Sequence, residues 1–148
     1  MSLPVYTYVQ LNNQLLPVVQ DSYSMQWNRA FSSQLAGNII RLNFIDRGPG
    51  IRVYSFSTYL ITWPPGSIPY QNGITQTWDQ QLAALEASFA EVAKVLQFTD
   101  PFGRPAGISS SYGVYFTSYT LSVHKSGTAE QEILIAQIEV TEATQTVN

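Results

Sequence analysis

The sequence predicts a mainly β fold with one α-helix: two packed antiparallel sheets, as a sandwich or barrel, flanked by a single amphipathic helix at about residues 77–97. Short runs of β-forming residues alternate apolar and polar side chains and are separated by turn signals. Only one stretch has helical periodicity. The 148 residues suit one domain, 1–148, with a loose polar tail from about residue 142.

Two hairpins are predicted over residues 5–63. Residues 5–11 and 15–19 flank the turn-forming run 12–14, and a further strand is predicted over residues 22–27. Strands over residues 38–45 and 51–63 then flank "DRGPG", a turn signal because its two glycines tolerate positive φ and its proline fixes φ. The long second hairpin has only four charges in the 27 residues 37–63, with Asp46 and Arg47 at its predicted tip.

The helix prediction rests on steps of three and four between apolar residues after an irregular Pro- and Gly-rich connection over 64–73. The expected inward residues are Leu82, Leu85, Phe89, Val92 and Leu96. Thr77 and Gln80 match a capping box, and Asp79 complements the helix dipole.

Two strands are predicted to close the fold, after a turn over residues 99–107. In the first, over 112–124, the apolar phase shifts from even to odd positions, which predicts a β-bulge or two buried faces. A hairpin loop over 125–131 leads to the last strand, 132–141. Its predicted inward residues are Leu134, Ala136, Ile138 and Val140.

The composition favours a surface covered by other protein. Charged residues make up 11% of the chain, against about 25% in an ordinary domain, while aromatic residues reach 13%. A surface of Ser, Thr, Gln and Asn packs readily against protein. A monomeric β domain of unusual composition is the alternative. The net charge of −3 with scattered basic residues argues against sequence-specific nucleic-acid binding.

Catalytic and metal-binding signatures are missing from the sequence. The chain has no Cys, and His124, its only histidine, lies at a predicted strand end. The carboxylate pairs Glu86 with Glu91 and Glu130 with Glu132 are explained by solubility. We therefore expect no enzyme activity, no cofactor and no metal.

Exposed aromatic residues offer a different function, a carbohydrate-binding β-sandwich module, because aromatic faces stack on pyranose rings. The candidate platform residues are Trp27, Tyr59, Trp63, Tyr70 and Trp78.

The order of elements resembles the tail-tube fold. The central hairpin "NIIRLNFIDRGPGIRVYSFSTYLITW", the single helix, and "LQFTDPFGRP" followed by "GVYFTSYTLSVHK" carry this resemblance over roughly residues 5–141. The last passage is similar to the helix-turn-strand passage of distal tail proteins, with its D-x-x-G turn. Phage tail-tube proteins, the ring domain of distal tail proteins and the hemolysin-coregulated tube protein share this fold.

The resemblance implies a structural ring-forming subunit of a phage or phage-like tail, in the tail tube or the distal baseplate hub. It implies hexameric, stacking rings, other tail proteins as partners, a lumen through which DNA passes, and a location in the virion tail after assembly in the host cytoplasm. No membrane span is expected, and the N-terminus does not look like a signal peptide. A capsid decoration or head-tail joining protein is a second alternative.

The central hairpin would be the element that reaches a neighbouring subunit. The residues expected at that interface are Phe44, Asp46, Arg47, Pro49, Arg52, Tyr54 and Phe56.

Overall fold

The computed structural model describes residues 7–35, 42–91, 95–105, 112–126 and 132–146. In these ranges the chain forms seven strands and two helices: β1 (Thr7–Leu11), β2 (Gln14–Val18), β3 (Ser24–Leu35), β4 (Leu42–Leu60), α1 (Ile68–Gln71), α2 (Trp78–Ala90), β5 (Phe98–Thr99), β6 (Tyr112–Ser126) and β7 (Glu132–Thr146). The strands pair antiparallel, and α2 is the only described helix longer than one turn. The predicted fold class is confirmed.

The seven strands form one sheet that curves back on itself. Its strand order is β5-β1-β2-β4-β7-β6, with β3 attached to β4 beside this row. Residues 95–99, which we call the strap, include β5 at one end of the row and also reach β6 at the other end. Leu96 exchanges two backbone hydrogen bonds of 2.8 Å with Val114 of β6, and Phe98 pairs with Leu11 of β1. The two predicted layers are therefore opposite walls of one sheet.

The core lies inside this curved sheet. The inward face of β7 is the predicted one, since all four expected residues are buried. The facing β4 residues and the strap complete the cluster, in which the most buried side chains include Leu11, Leu16, Tyr54, Phe56, Leu60, Leu85, Leu96, Phe98 and Val114.

Helix α2 packs on the core of the sheet through Leu85 and Leu82. The predicted capping box is present, with the Thr77 backbone N–H donating to Gln80 Oε1 at 3.0 Å. Gln81 is buried and donates to the carbonyls of Ile61 and Gln76, while Gln14 donates to the carbonyl of Gln81. These bonds anchor the first turn of α2 to the chain that follows β4 and to β2.

The prediction that the helix runs to about residue 97 is wrong, because α2 ends at Ala90 and Glu91 is extended. Leu85 is buried and Leu82 packs on the core, as expected. Leu96 instead lies in the strap, and Val92 is outside the described residues. Pairing of the strap with two strands overrides the local helical pattern.

The predicted turn at "DRGPG" is also wrong, because β4 runs through it without reversing. The pairing of β3 with β4 has two register shifts there, between Trp27 and Arg29 and between Arg29 and Phe31. At each shift β4 has one residue more than β3. Glycine and proline inside a strand mark bulges as well as turns. The long hairpin consists of β3 and β4, and its tip, residues 36–41, lies outside the described residues.

The boundaries of the other predicted elements differ less from those in the structure. The bulge predicted in the penultimate strand is confirmed, since Phe116 pairs with Val140 and Ser118 with Glu139, which leaves Thr117 as the extra residue. The tail predicted to be loose from residue 142 instead continues β7 to Thr146. The predicted turn at residues 12–14 is confirmed, because Asn12 and Asn13 both have positive φ between β1 and β2.

Candidate self-assembly surfaces

The end of the β3–β4 hairpin forms a two-stranded ribbon, which we call the arm: residues 29–35 of β3 and 42–49 of β4. The ladder between β4 and β7 begins only at Val53, so the arm pairs with no other described strand. Seven residue steps of strand correspond to roughly 23 Å. The arm therefore extends past the closed sheet.

Four of the predicted interface residues lie on the arm. The backbone of Phe44 pairs with Ser33, Asp46 with Phe31, and Pro49 with Arg29. Arg47 belongs to the bulged stretch between the last two pairs. The side chains of these four residues lie outside the described part of the structure.

Two of the predicted interface residues pack inside their own chain. Tyr54 and Phe56 are 3% and 2% exposed, and their rings lie 5.0 and 6.0 Å from the ring of Phe98. Burial raises the pKa of the Tyr54 hydroxyl. Their side chains supply core packing rather than surface, which the strict alternation of β4 explains.

Arg52 lies at the base of the arm, with contacts to both neighbouring strands. Its guanidinium carbon is 4.0 Å from the ring centre of Trp27 on β3. Its Nε lies 3.8 Å from Glu142 Oε2 on β7, and both side chains are largely buried. The structure therefore gives this residue contacts within the subunit that its sequence position alone did not reveal.

Large apolar side chains are exposed at several places. Met25, Trp27 and Ile51 lie on β3 and β4 near the base of the arm, and Leu121 and Val123 lie on β6. Phe89 on α2 is 41% exposed although its ring contacts Phe116 and Tyr119.

Phe102 is the most exposed apolar side chain described, at 73%. It projects from the turn that joins the strap to the chain before β6. The buried Asp100 carboxylate holds this turn. Its Oδ1 accepts from the backbone N–H groups of Phe102 and Arg104, and its Oδ2 accepts from Arg104 Nε at 3.0 Å.

Tyr23 packs beside the same turn, edge-on to Phe102. Burial, and secondarily the Asp100 charge, raises the pKa of Tyr23 to about 12. The sequence "DPFGR" predicts the turn, but the exposure of Phe102 was not predicted. The available signal was the position of Phe102 between Asp100 and Arg104, which pair with each other at a spacing of four residues across the turn.

Among the described strands, two edges are available for pairing. β3 pairs with β4 and with no other described strand, and β6 has no described strand on its outer edge beyond the bridge at Val114. Leu121 and Val123 lie on this part of β6, across from Ala136 and Leu134. Unpaired edges with exposed apolar residues are templates for association with another chain.

The other candidate sites from the sequence are dispersed or outside the described side chains. Of the five residues proposed as a sugar platform, Trp27 is exposed and the other four are half-buried, with Trp78 packed on the core. The side chain of His124 lies outside the described part. Within the described residues, no three potential ligands group as a metal site, and no helix has the length and apolarity to cross a membrane.

Comparison with known proteins identifies no family for this chain: no protein-family model matches it, and no curated protein matches it significantly.

Proposed function

We propose that this protein is a structural, self-assembling ring subunit of a phage or phage-like tail, in the tail tube or the distal hub. The observation that carries the proposal is the arm, a ribbon that leaves the closed sheet and pairs with no other described strand. A ribbon of this kind gains stability when a neighbouring subunit covers it.

The free edges and the composition support the same role. Among the described strands, each subunit offers one edge at β3, which is attached to β4 beside the row, and another at β6, at one end of the row. A contact between two different surfaces is repeated from copy to copy. It closes into a ring when the rotation from each subunit to the next brings the last copy into contact with the first. A charged fraction of 11% leaves few charges to desolvate in such contacts.

Electron microscopy of the purified protein tests the proposal. We expect sixfold rings or stacked tubes for the parent chain. Rings of twelve subunits or trimers would instead support a head-tail joining or decoration protein. A protein that stays monomeric at high concentration would contradict all three.

An arm-shortened variant tests the role of the arm. Replacing residues 29–50 by Asn-Gly joins the strands above the Trp27–Arg52 pair through a two-residue turn. We expect a folded monomer by circular dichroism and light scattering. Glu86→Gln, a change on the exposed side of α2, is the control and should assemble as the parent does. Rings formed by the shortened chain would show that the arm is not the interface.

A further inference from the structure

The arm leaves the closed sheet at a fork between β4 and β7. Val53 and Thr141 form the last backbone pair of that ladder. The next residue on β4 is Arg52 and the next on β7 is Glu142. These two are the first residues beyond the ladder, and their side chains form an ion pair across the fork at 3.8 Å.

The same position is the boundary of the regular β3–β4 pairing. Trp27 and Arg52 are the last pair before the two register shifts, which lead to Arg29 opposite Pro49. Bulges bend and twist a ribbon. The backbone pairing is irregular directly beyond this boundary. The direction of the arm therefore depends on the contacts made there.

Arg52 joins all three strands at that point. It belongs to β4, it lies over the indole ring of Trp27 on β3, and it pairs with Glu142 on β7. Arg52 Nε and Glu142 Oε2 are buried and have no hydrogen-bond partner in the described part of the chain. Buried charges need compensation, and Glu142 Oε2 supplies an opposite charge to Arg52 Nε across the fork, while the Arg52 side chain also hydrogen-bonds to Tyr54 of its own strand.

We infer that Arg52 is a positioning residue that fixes the direction of the arm relative to the closed sheet. A planar guanidinium suits this role, since it stacks on an indole ring while its edge faces a carboxylate. The use of this direction in ring assembly rests on the proposed function, whereas the direction itself is a property of one subunit.

Distance measurement between two spin labels tests the inference. The chain has no cysteine, so Ser33→Cys on the arm and Gln137→Cys on β7 create a unique pair of labels. Labelled chains are diluted with unlabelled parent chains so that distances within one subunit dominate. We expect a narrow distance distribution for the doubly labelled parent and one at least twofold broader, or displaced, with Arg52→Ala.

Arg104→Ala is the matched control. Arg104 also pairs with a carboxylate and also lies near an aromatic ring, that of Phe102, but it belongs to the turn after the strap and to none of the three strands that meet at the fork. Arg104→Ala should leave the distance distribution unchanged. Glu142→Gln keeps the volume of the side chain while removing its charge, and it should broaden the distribution. Glu142→Gln decides the matter if Arg52→Ala fails to fold.

An unchanged distribution in Glu142→Gln and in a folded Arg52→Ala would overturn the inference, as would equal broadening by Arg104→Ala. Microscopy of the same samples separates this result from the proposed function. Broadening in a chain that never forms rings would retain the positioning role and remove the ring proposal. Rings together with an unchanged distance distribution would retain the ring proposal and remove the positioning role.

Discussion

Tyr119 has a half-buried phenol whose hydroxyl has no hydrogen-bond partner among the described residues. Burial, and secondarily the charge of Glu86, raises its pKa from 10.0 to about 12. As the pH rises, the Tyr119 hydroxyl therefore loses its proton at a lower pH in the unfolded chain than in the folded chain. The free energy of unfolding should be insensitive to this group below pH 10 and fall between about pH 10 and 12.

Tyr119→Phe should flatten that alkaline decline without large loss of stability at pH 8, because it removes a hydroxyl that lacks a described partner. Tyr23, whose pKa is also raised to about 12, should maintain part of the decline in this variant. Urea unfolding between pH 8 and 11.5 measures the effect. Identical pH dependence in parent and variant would contradict the assignment.

Asp100 stabilises the turn that presents Phe102. Asp100→Ala leaves the N–H groups of Phe102 and Arg104 without their acceptor, and we expect a loss of about 1–3 kcal/mol in unfolding free energy. Asp100→Asn keeps one oxygen as an acceptor and should lose roughly half as much. Chemical denaturation of both variants checks this order, and a larger loss for Asn than for Ala would refute it.

At the scale of elements, the strap is a short segment on which closure of the sheet depends. Phe98 is buried against Tyr54 and Phe56, so Phe98→Ala should lower the free energy of unfolding by about 3–5 kcal/mol. Phe102→Ala is the same substitution at a 73% exposed site and should change it by less than about 0.5 kcal/mol. Thermal or urea unfolding compares the two, and similar losses would contradict the role of the strap.

Sequence patterns predicted the elements whose environment repeats regularly. The inward face of β7, the capping box of α2 and the bulge at Thr117 followed from alternation, spacing and a phase shift. The strap was not predictable, because its partners Leu11 and Val114 are distant in sequence and the local pattern is helical. "DRGPG" was misread since bulge and turn share the same residue types.

The predicted interface stays a prediction, and the sequence alone did not reveal which of its residues are buried inside their own chain. Alternation along β4 could have indicated that Tyr54 and Phe56 face the core once the register was known. The contacts of Arg52 with Trp27 and Glu142 depend on which three strands meet at the fork, and that is a property of the tertiary fold.

At the scale of the whole molecule, the proposed association through strand edges and apolar side chains should resist salt. The Debye length falls from about 10 Å at 0.1 M to about 3 Å at 1 M salt, which weakens contacts between exposed charges. With 11% charged residues, the chain should keep the same oligomer across this range. Light scattering at both concentrations measures this, and dissociation at 1 M would indicate a mainly electrostatic interface.

The position of β4 also orders the events of folding. Its pairing with β3 is local in sequence, whereas its pairing with β7 joins Thr58 to Ala136 and waits until β7 has been synthesised. Local contacts form faster than distant ones. The ribbon can therefore form during synthesis while β4 still lacks β7, the last of the three strands that pair with it, so the edge of β4 that faces β7 stays unpaired during that interval.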